Sequence, residues 1–362
     1  MQIQQITAIR RTIPLRHAFT SSATSLTRLD YVWVRIQIDT GLVGYGECPT
    51  CPDVTGEDQQ LAIAVLNEVT PLLIGVSATN IERVNTIFAN ASQRCYAAHC
   101  GVDMALFDIM GKACQQQVYQ LLGGDDLTVN VNAVIPLDAH DDLPERISAL
   151  VADGYTRFKV KVGVNNANEV AIVRTIRQHV PATAIVFVDA NGAWKDVDSA
   201  LLAIHPLVDA GVDWVEQPVP ATAVFALKQI QSVIKGGIIA DESLYSPRDA
   251  IHLIKENAVK LFNIKLAKAG GLAEARKIYM IAQAADITCL LGSLIESSLG
   301  MLANYHFARA FPMATCGLSV YATVDDGIDV GLKLTHATMQ LLEDRPGLGY
   351  PDAAVFERYF NE

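Results

Sequence analysis

Phe158-Lys159-Val160-Lys161-Val162, closed by Gly163, is the stretch on which the reading of the whole chain turns. Its β-branched run predicts a strand. Successive side chains on a strand point to opposite faces, so Lys159 and Lys161 share one face and Phe158, Val160 and Val162 the other. An isolated ammonium loses its hydration on a buried face, so two lysines there call for carboxylates or a metal site to compensate them. A lone Lys-x-Lys reads more simply as an edge strand with a solvated face. The downstream sequence decides between the two.

From about residue 128 onward, short apolar runs alternate with amphipathic helical patterns. Strand ends are expected near Val134, Lys161, Asp189, Glu216, Asp241, Lys265, Gly292 and Gly317. Successive units of βα length argue for a parallel α/β barrel of the TIM type rather than an open sheet. No Gly-x-Gly-x-x-Gly follows these strands, which counts against dinucleotide binding. Residues 1–125 read differently, as an α+β unit. Strands are expected at 3–14, 31–38 and 43–47, with loop-like stretches at 16–28 and 48–57. Helices are expected at about 58–74, 80–90, 94–114 and 116–122. The stripe Ala97, Ala98, Gly101, Val102, Met104, Ala105, Leu106, Ile109 and Met110 predicts a tightly packed helix. The expected division is 1–125, a barrel over 126–320, and a segment 321–362 that packs back on the first unit.

Three carboxylates fall at the ends of consecutive barrel strands: Asp189 in Val188-Asp189-Ala190-Asn191, Glu216 in Val215-Glu216-Gln217-Pro218, and Asp241 in Ala240-Asp241-Glu242-Ser243. Strand ends of such a barrel converge on one mouth. Any one of these acids could be a helix N-cap. Three in a row, after Lys-x-Lys, point to a shared divalent cation that offsets their repulsion. Oxygen ligands without His or Cys favour Mg²⁺ over Zn²⁺. Lys265, in Ile264-Lys265-Leu266-Ala267-Lys268, ends the next strand and faces the Lys159/Lys161 strand across the mouth. A lysine with its ordinary pKa of about 10.4 is a poor base near neutrality. A metal and a second ammonium both lower it, which makes Lys161 a candidate base and leaves Lys159 to hold a substrate carboxylate. For Lys268 a solvated helix position is the favoured reading. Glu296, in Gly292-Ser293-Leu294-Ile295-Glu296, either orients Lys265 or starts the following helix.

Composition narrows the partners. The 362 residues carry a net charge of −11, which speaks against nucleic acid and anionic membranes. No stretch reaches the ~18 apolar residues of a membrane span, and the N-terminus lacks the pattern of a signal peptide. Seven scattered cysteines suggest a reducing, cytoplasmic setting. Cys48-Pro-Thr-Cys51 has metal-ligand spacing but no second pair, so buried or loop thiols are the expectation.

Lys-x-Lys, Asp-x-Asn-x-x-Trp, Val-Glu-Gln-Pro, Ala-Asp-Glu-Ser, Asn-Ile-Lys-x-x-Lys-x-Gly-Gly and Gly-Ser-x-Ile-Glu occur in that order and cover most of the chain. The set resembles the enolase superfamily, in its muconate-lactonizing subgroup. The resemblance implies a modified TIM barrel of (β/α)7β type beneath an N-terminal α+β capping domain. It implies Mg²⁺ on Asp189, Glu216 and Asp241, with Lys161 and Lys265 as acid and base on opposite faces of the carbon next to a carboxylate, through an enediolate. A racemase or epimerase of a small amino-acid or dipeptide derivative follows, with a cycloisomerase or β-elimination enzyme as the alternative. A homo-oligomer, dimer or even-numbered ring, is also implied. Glu47-Cys48-Pro49 and Val54-Thr55-Gly56-Glu57 resemble dipeptide epimerases in particular. Those enzymes carry Asp-x-Asp after the eighth strand to hold a substrate ammonium; here that place reads Gly317-Leu318-Ser319, with Asp325 and Asp326 beyond it. Ser319 and Arg16 are therefore the candidate contacts to the far end of the substrate, Arg16 being otherwise a solvated arginine.

Overall fold

The computed structural model describes residues 1–20, 25–91, 95–124, 128–136, 142–164, 166–350 and 353–361. The expected boundary at 125/126 lies outside the described residues. Strands β1 (Ile3–Thr20), β2 (Ser25–Ile38) and β3 (Val43–Cys48) form an antiparallel sheet in that order. Of the expected loop at 16–28, residues 21–24 lie outside the described residues; 16–20 and 25–28 instead extend strands β1 and β2, where Phe19 pairs with Leu26 after a register shift beyond Pro14. Arg16, His17 and Ala18 are exposed there. The polarity that suggested a loop comes from exposed positions such as Arg16, His17, Thr27 and Arg28, while Leu15, Phe19 and Leu26 of the same strands pack against the core.

Four helical segments follow: α1 (Pro52–Thr55), α2 (Gln59–Leu73), α3 (Ile81–Ala91) and α4 (Tyr96–Cys114), then a single turn α5 (Val118–Leu121). The Asp58 side chain accepts from Leu61 N at 2.8 Å and so starts α2, satisfying one of the amides a helix start leaves free. Helix α4 lies directly on the sheet, and this contact requires the absence of side chains. A Cβ on Gly46 would sit 1.9 Å from Gly101 O, and one on Gly44 would sit 2.1 Å from Ala105 O. The small-residue stripe of α4 is what lets the two backbones approach.

The barrel starts after β4 (Val129–Asn130). Its parallel strands are β5 (Ala133–Ile135), β6 (Arg157–Lys161), β7 (Ile185–Asp189), β8 (Trp214–Glu216), β9 (Gly237–Ala240), β10 (Leu261–Ile264) and β11 (Thr288–Leu291), hydrogen-bonded in that order. The intervening helices are α6 (Leu143–Ala152), α7 (Asn166–His179), α8 (Val197–Asp209), α9 (Val224–Val233), α10 (Pro247–Lys255), the one-turn α11 (Leu266–Ala269) and α12 (Leu272–Ala284); α13 (Ser298–Ala310) follows β11. The eighth strand expected near Gly317 is reduced to one residue. Cys316 bridges in parallel to Leu291 on one side and to Val131 on the other. Gly317 N donates to Leu291 O at 2.7 Å and Asn132 N to Cys316 O at 3.0 Å, which closes the ring by main-chain atoms.

The C-terminal hairpin β12 (Leu332–Thr335) and β13 (Thr338–Leu341) joins β4 in a small antiparallel sheet. The last helix, α14 (Ala353–Asn361), returns to the first sheet, where Phe356 lies 5.7 Å from the Trp33 ring and 5.3 Å from that of Tyr45. The barrel and the first unit are also joined through α4. Asp103, buried on α4, accepts from Leu272 N at 2.6 Å and so caps α12, whose N-cap Gly271 has no side chain to do it.

Two outcomes follow from these contacts. Gly46→Ala is expected to overpack the α4 seam and cost about 1–3 kcal/mol or more, read as a lowered thermal midpoint. Burial pushes the Asp103 carboxyl up to about 8. A carboxyl raised on folding contributes stability that is present below its unfolded pKa of about 4 and is lost as pH climbs through about 8. Asp103→Asn keeps the acceptor and removes the charge. The variant should therefore gain on the parent between pH 5 and pH 8, by on the order of a few kcal/mol in urea unfolding.

Candidate active site

Asp189 and Glu216 are the last residues of β7 and β8, and Asp241 follows β9 directly, so the pleat and the barrel tilt carry all three inward to the same mouth. All three are fully buried, and one carboxylate oxygen from each lies within 4.8 Å of the others. Among the described residues this is the one group of acids, histidines or cysteines placed to share a cation.

Lysines close the arc on both sides. Lys159 Nζ lies 2.8 Å from both Asp189 Oδ2 and Glu216 Oε1. Lys161 Nζ lies 2.8 Å from Asp189 Oδ2. On the far side, Lys265 Nζ lies 2.8 Å from Asp241 Oδ2. Burial works against each of these charges, and the neighbouring charges decide the balance. Burial raises Asp189, but Lys159 and Lys161 outweigh it and hold the carboxyl below its usual range. Burial likewise opposes the ammonium of Lys265, but Asp241 and then Glu242 hold it above the usual lysine range. Glu216 shares one lysine with Asp189, and burial followed by repulsion from Asp189 pushes it up to about 7.

The donor set fits a hard divalent cation. Glu216 Oε1 already accepts from Lys159 at 2.8 Å and Asn263 Nδ2 at 2.7 Å, whereas its buried Oε2 has no hydrogen-bond partner. A buried carboxylate oxygen left without a donor, among carboxylates that repel one another, is what a metal ligand looks like before its ion is counted.

Several residues sit otherwise than expected. Lys268 is not solvated: it is fully buried, with Nζ 2.5 Å from Asp241 Oδ1. Helix α11 makes one turn only, so Lys268 returns to the side of Lys265, and Leu266, Ala267 and Ala269 are buried with it. Burial, against the pull of Asp241, lowers its pKa. Glu296 is buried, but it accepts from the Ser293 hydroxyl and from Leu294 N at 3.0 Å; it holds the turn after β11 rather than Lys265. Ser319 opens a 3-10 turn and spends its hydroxyl on Asn132 O at 2.7 Å, so Gly317 and Val320, not Ser319, line the cavity there. Arg16 is exposed and 3.7 Å from Asp325, while Asp326 accepts from Ser298 N at the start of α13. Of the cysteine pair, Cys48 is buried in β3 and Cys51 borders the cavity.

Asn191 and Glu242 were not singled out by their motifs. Asn191 Oδ1 accepts from Lys161 Nζ at 2.8 Å, and its Nδ2 donates to Glu242 Oε1 at 2.9 Å. Asn191 holds a left-handed φ of 47°, a conformation that asparagine tolerates better than most residues. Its presence two residues after Asp189 was the available signal. The acids and lysines form the floor of an open cavity of about 820 Å³. Its roof comes from the first unit, through Phe19, Leu26, Cys51 and Val54.

Comparison with known proteins agrees with this architecture. Residues 142–351 match the enolase C-terminal domain-like family, and residues 4–123 the N-terminal domain of mandelate racemase / muconate lactonizing enzyme. The N-succinyl-L-Arg/Lys racemase of Bacillus cereus is 33% identical over 96% of this chain and 95% of its own. The hydrophobic dipeptide epimerase of Enterococcus faecalis is 33% identical over 92% of this chain and 96% of its own. The crystal structure of the dipeptide epimerase from Enterococcus faecalis V583 with Mg and the dipeptide L-Leu-L-Tyr is similar at a TM-score of 0.90 and 32% identity, covering 96% of this chain and 99% of that one. The matches span both the sheet of the first unit and the barrel, and they place the chain among the isomerases of the enolase superfamily: it belongs to the mandelate racemase / muconate lactonizing enzyme family.

If the triad takes up a divalent cation, the cation stabilises the fold by mass action, by about 2.7 kcal/mol at a hundred times its Kd. The thermal midpoint is expected to rise on titration with Mg²⁺ or Mn²⁺, and to stay flat in Asp241→Asn.

Proposed function

We propose that this chain is a Mg²⁺-dependent racemase or epimerase acting on the carbon next to the carboxylate of a small amino-acid or dipeptide derivative. One observation carries the reading. Lys161 and Lys265 stand at opposite ends of the acid arc, one as the last residue of β6 and one directly after β10, and both line the cavity. Inversion of a carbon needs a proton removed from one face and returned to the other, and two amines so separated meet that need.

Asp189, Glu216 and Asp241 would hold the ion, and the all-oxygen set favours Mg²⁺. The bound ion would supply the Lewis acidity that makes the neighbouring C–H acidic. Lys159, tied to Asp189 and Glu216 at the back of the site, would bind and orient the substrate carboxylate. Lys161 would take the proton from one face as a neutral amine, while Lys265, as an ammonium, delivers one to the other; the reverse direction exchanges the roles. Asn191 would fix the Lys161 amine in its aim through the 2.8 Å bond to its Oδ1. Roofing by Phe19, Leu26 and Val54 would keep bulk water from the reacting carbon.

The test is hydrogen exchange at the α-carbon in D₂O, followed separately from each enantiomer. Lys161→Ala is expected to lose exchange from one enantiomer, and Lys265→Ala from the other, by about 10²-fold or more each. Full exchange from both enantiomers in both variants would refute the proposal. Loss of all turnover in one variant and none in the other would replace it with one-base chemistry, such as cycloisomerisation or β-elimination.

A further inference from the structure

The cavity has a charged floor and a neutral wall. Its charged lining is confined to Lys159, Lys161, Lys265, Glu216 and Glu242, all at the acid–lysine cluster. Glu242 belongs to that cluster, because its Oε1 is bonded to Asn191 and through it to Lys161. Away from the floor, the described lining is Phe19 and Leu26 from the β1–β2 hairpin, Val54, Leu294, Ile295 and Val320, and it includes no carboxylate, ammonium or guanidinium. Charged residues near that wall in sequence are engaged with other partners: Glu296 with the Ser293 hydroxyl and Leu294 N, Arg28 with Asp30, Arg16 with Asp325, and Asp326 with Ser298 N.

Polar side chains interrupt the apolar wall at Ser293, whose hydroxyl is bonded to Glu296, and at a pair farther along. Asn132 is 1% exposed and lines the cavity beside Thr315. Its Nδ2 lies 3.5 Å from Ala133 O, and its Oδ1 lies 3.5 Å from Thr315 Oγ1. Both contacts stand at the outer limit of a hydrogen bond, so a buried carboxamide has donor and acceptor capacity left over. A carboxamide of this kind is matched by another amide, whose C=O and N–H pair with its N–H and C=O.

We infer that the substrate carries its charge at one end only: a carboxylate on the lysine floor, followed by a neutral amide and apolar groups, as in an N-acylated aliphatic or aromatic amino acid. The inference rests on the carboxylate-anchored reading above and narrows its substrate class. It does not depend on which substituent enters which corner. A free ammonium, a second carboxylate or a guanidinium beyond the floor would be desolvated against Leu, Ile, Val and Phe side chains with no counter-charge among the described lining. That excludes free dipeptides, N-succinyl derivatives and basic side chains as preferred ligands.

N-propionyl-L-leucine and L-alanyl-L-leucine make the cleanest comparison, because they differ only by a hydrogen in place of the ammonium. Binding to the Mg²⁺-loaded protein is measured by calorimetry, independently of turnover. The propionyl compound is expected to bind at least 30-fold more tightly. A wall charge should reverse this. Position 317 can accept a side chain, since a Cβ there would meet nothing nearer than Leu291 O at 3.6 Å. Gly317→Asp is expected to shift the ratio at least 30-fold toward the dipeptide. Equal or tighter binding of the dipeptide by the parent protein, or binding of neither, would overturn the inference. Preferential binding of the propionyl compound without α-hydrogen exchange would leave the inference standing and remove the racemase reading instead.

Discussion

Three carboxylates and four ammonium groups share the buried mouth of the barrel, and neither set is tolerable there without the other. Burial of a lone charge of either sign is costly. Interleaved at 2.5–2.8 Å, the opposite charges offset much of that cost for one another. The parallel barrel is what makes the interleaving possible. Lys161 pairs with Asp189, and Asp189 with Glu216, in the strand register itself, so adjacent strands deliver a lysine and two carboxylates to one level. The balance is incomplete at Glu216, which keeps an oxygen without a donor. That residual acceptor is the point at which the cluster calls for a cation.

The first unit takes part in this arrangement as well as covering it. Glu47, at the end of the first sheet, accepts from Ser297 N at 3.0 Å and Trp33 Nε1 at 3.0 Å, and Tyr31 OH donates to Leu294 O at 2.7 Å. These bonds fasten the turn after β11, whose Gly292 to Ile295 border the cavity, to the core of the antiparallel sheet. The Asp103 cap on α12 secures the same two units from another side, and the glycine contact between β3 and α4 holds that helix on the sheet of the first unit. The hairpin that presents Phe19 and Leu26 is thus carried on a base that is locked to the barrel.

The repeating βα pattern and the acid spacing were legible in the sequence because each is local: a strand ends, and the residue at its end faces the mouth. What the sequence concealed depended on distant partners. Lys268 reads as a helix-surface residue until α11 proves to be a single turn covered on its outer side. Ser319 follows Gly317 at strand spacing, yet the chain turns into a 3-10 helix there and rotates its hydroxyl to Asn132. The described parts of 16–28 are paired strands with exposed polar side chains, and composition alone does not separate that from an irregular loop. Glu296 had two readings from its position, and the structure gives a third, as an acceptor within its own turn.

The way the ring is closed has a consequence for how this enzyme could have diversified. Seven staves of the barrel hold their neighbours with ladders, and five of them, β6 to β10, supply the charged cluster, so a change in them disturbs either the sheet or the chemistry. The eighth touches its neighbours through the main chain of 315–317. The Thr315 side chain and the bare Cα of Gly317 bear no such duty, yet both line the cavity. A lineage can therefore rewrite what the wall recognises one codon at a time, at the single stave where doing so leaves both barrel and acid–lysine cluster untouched.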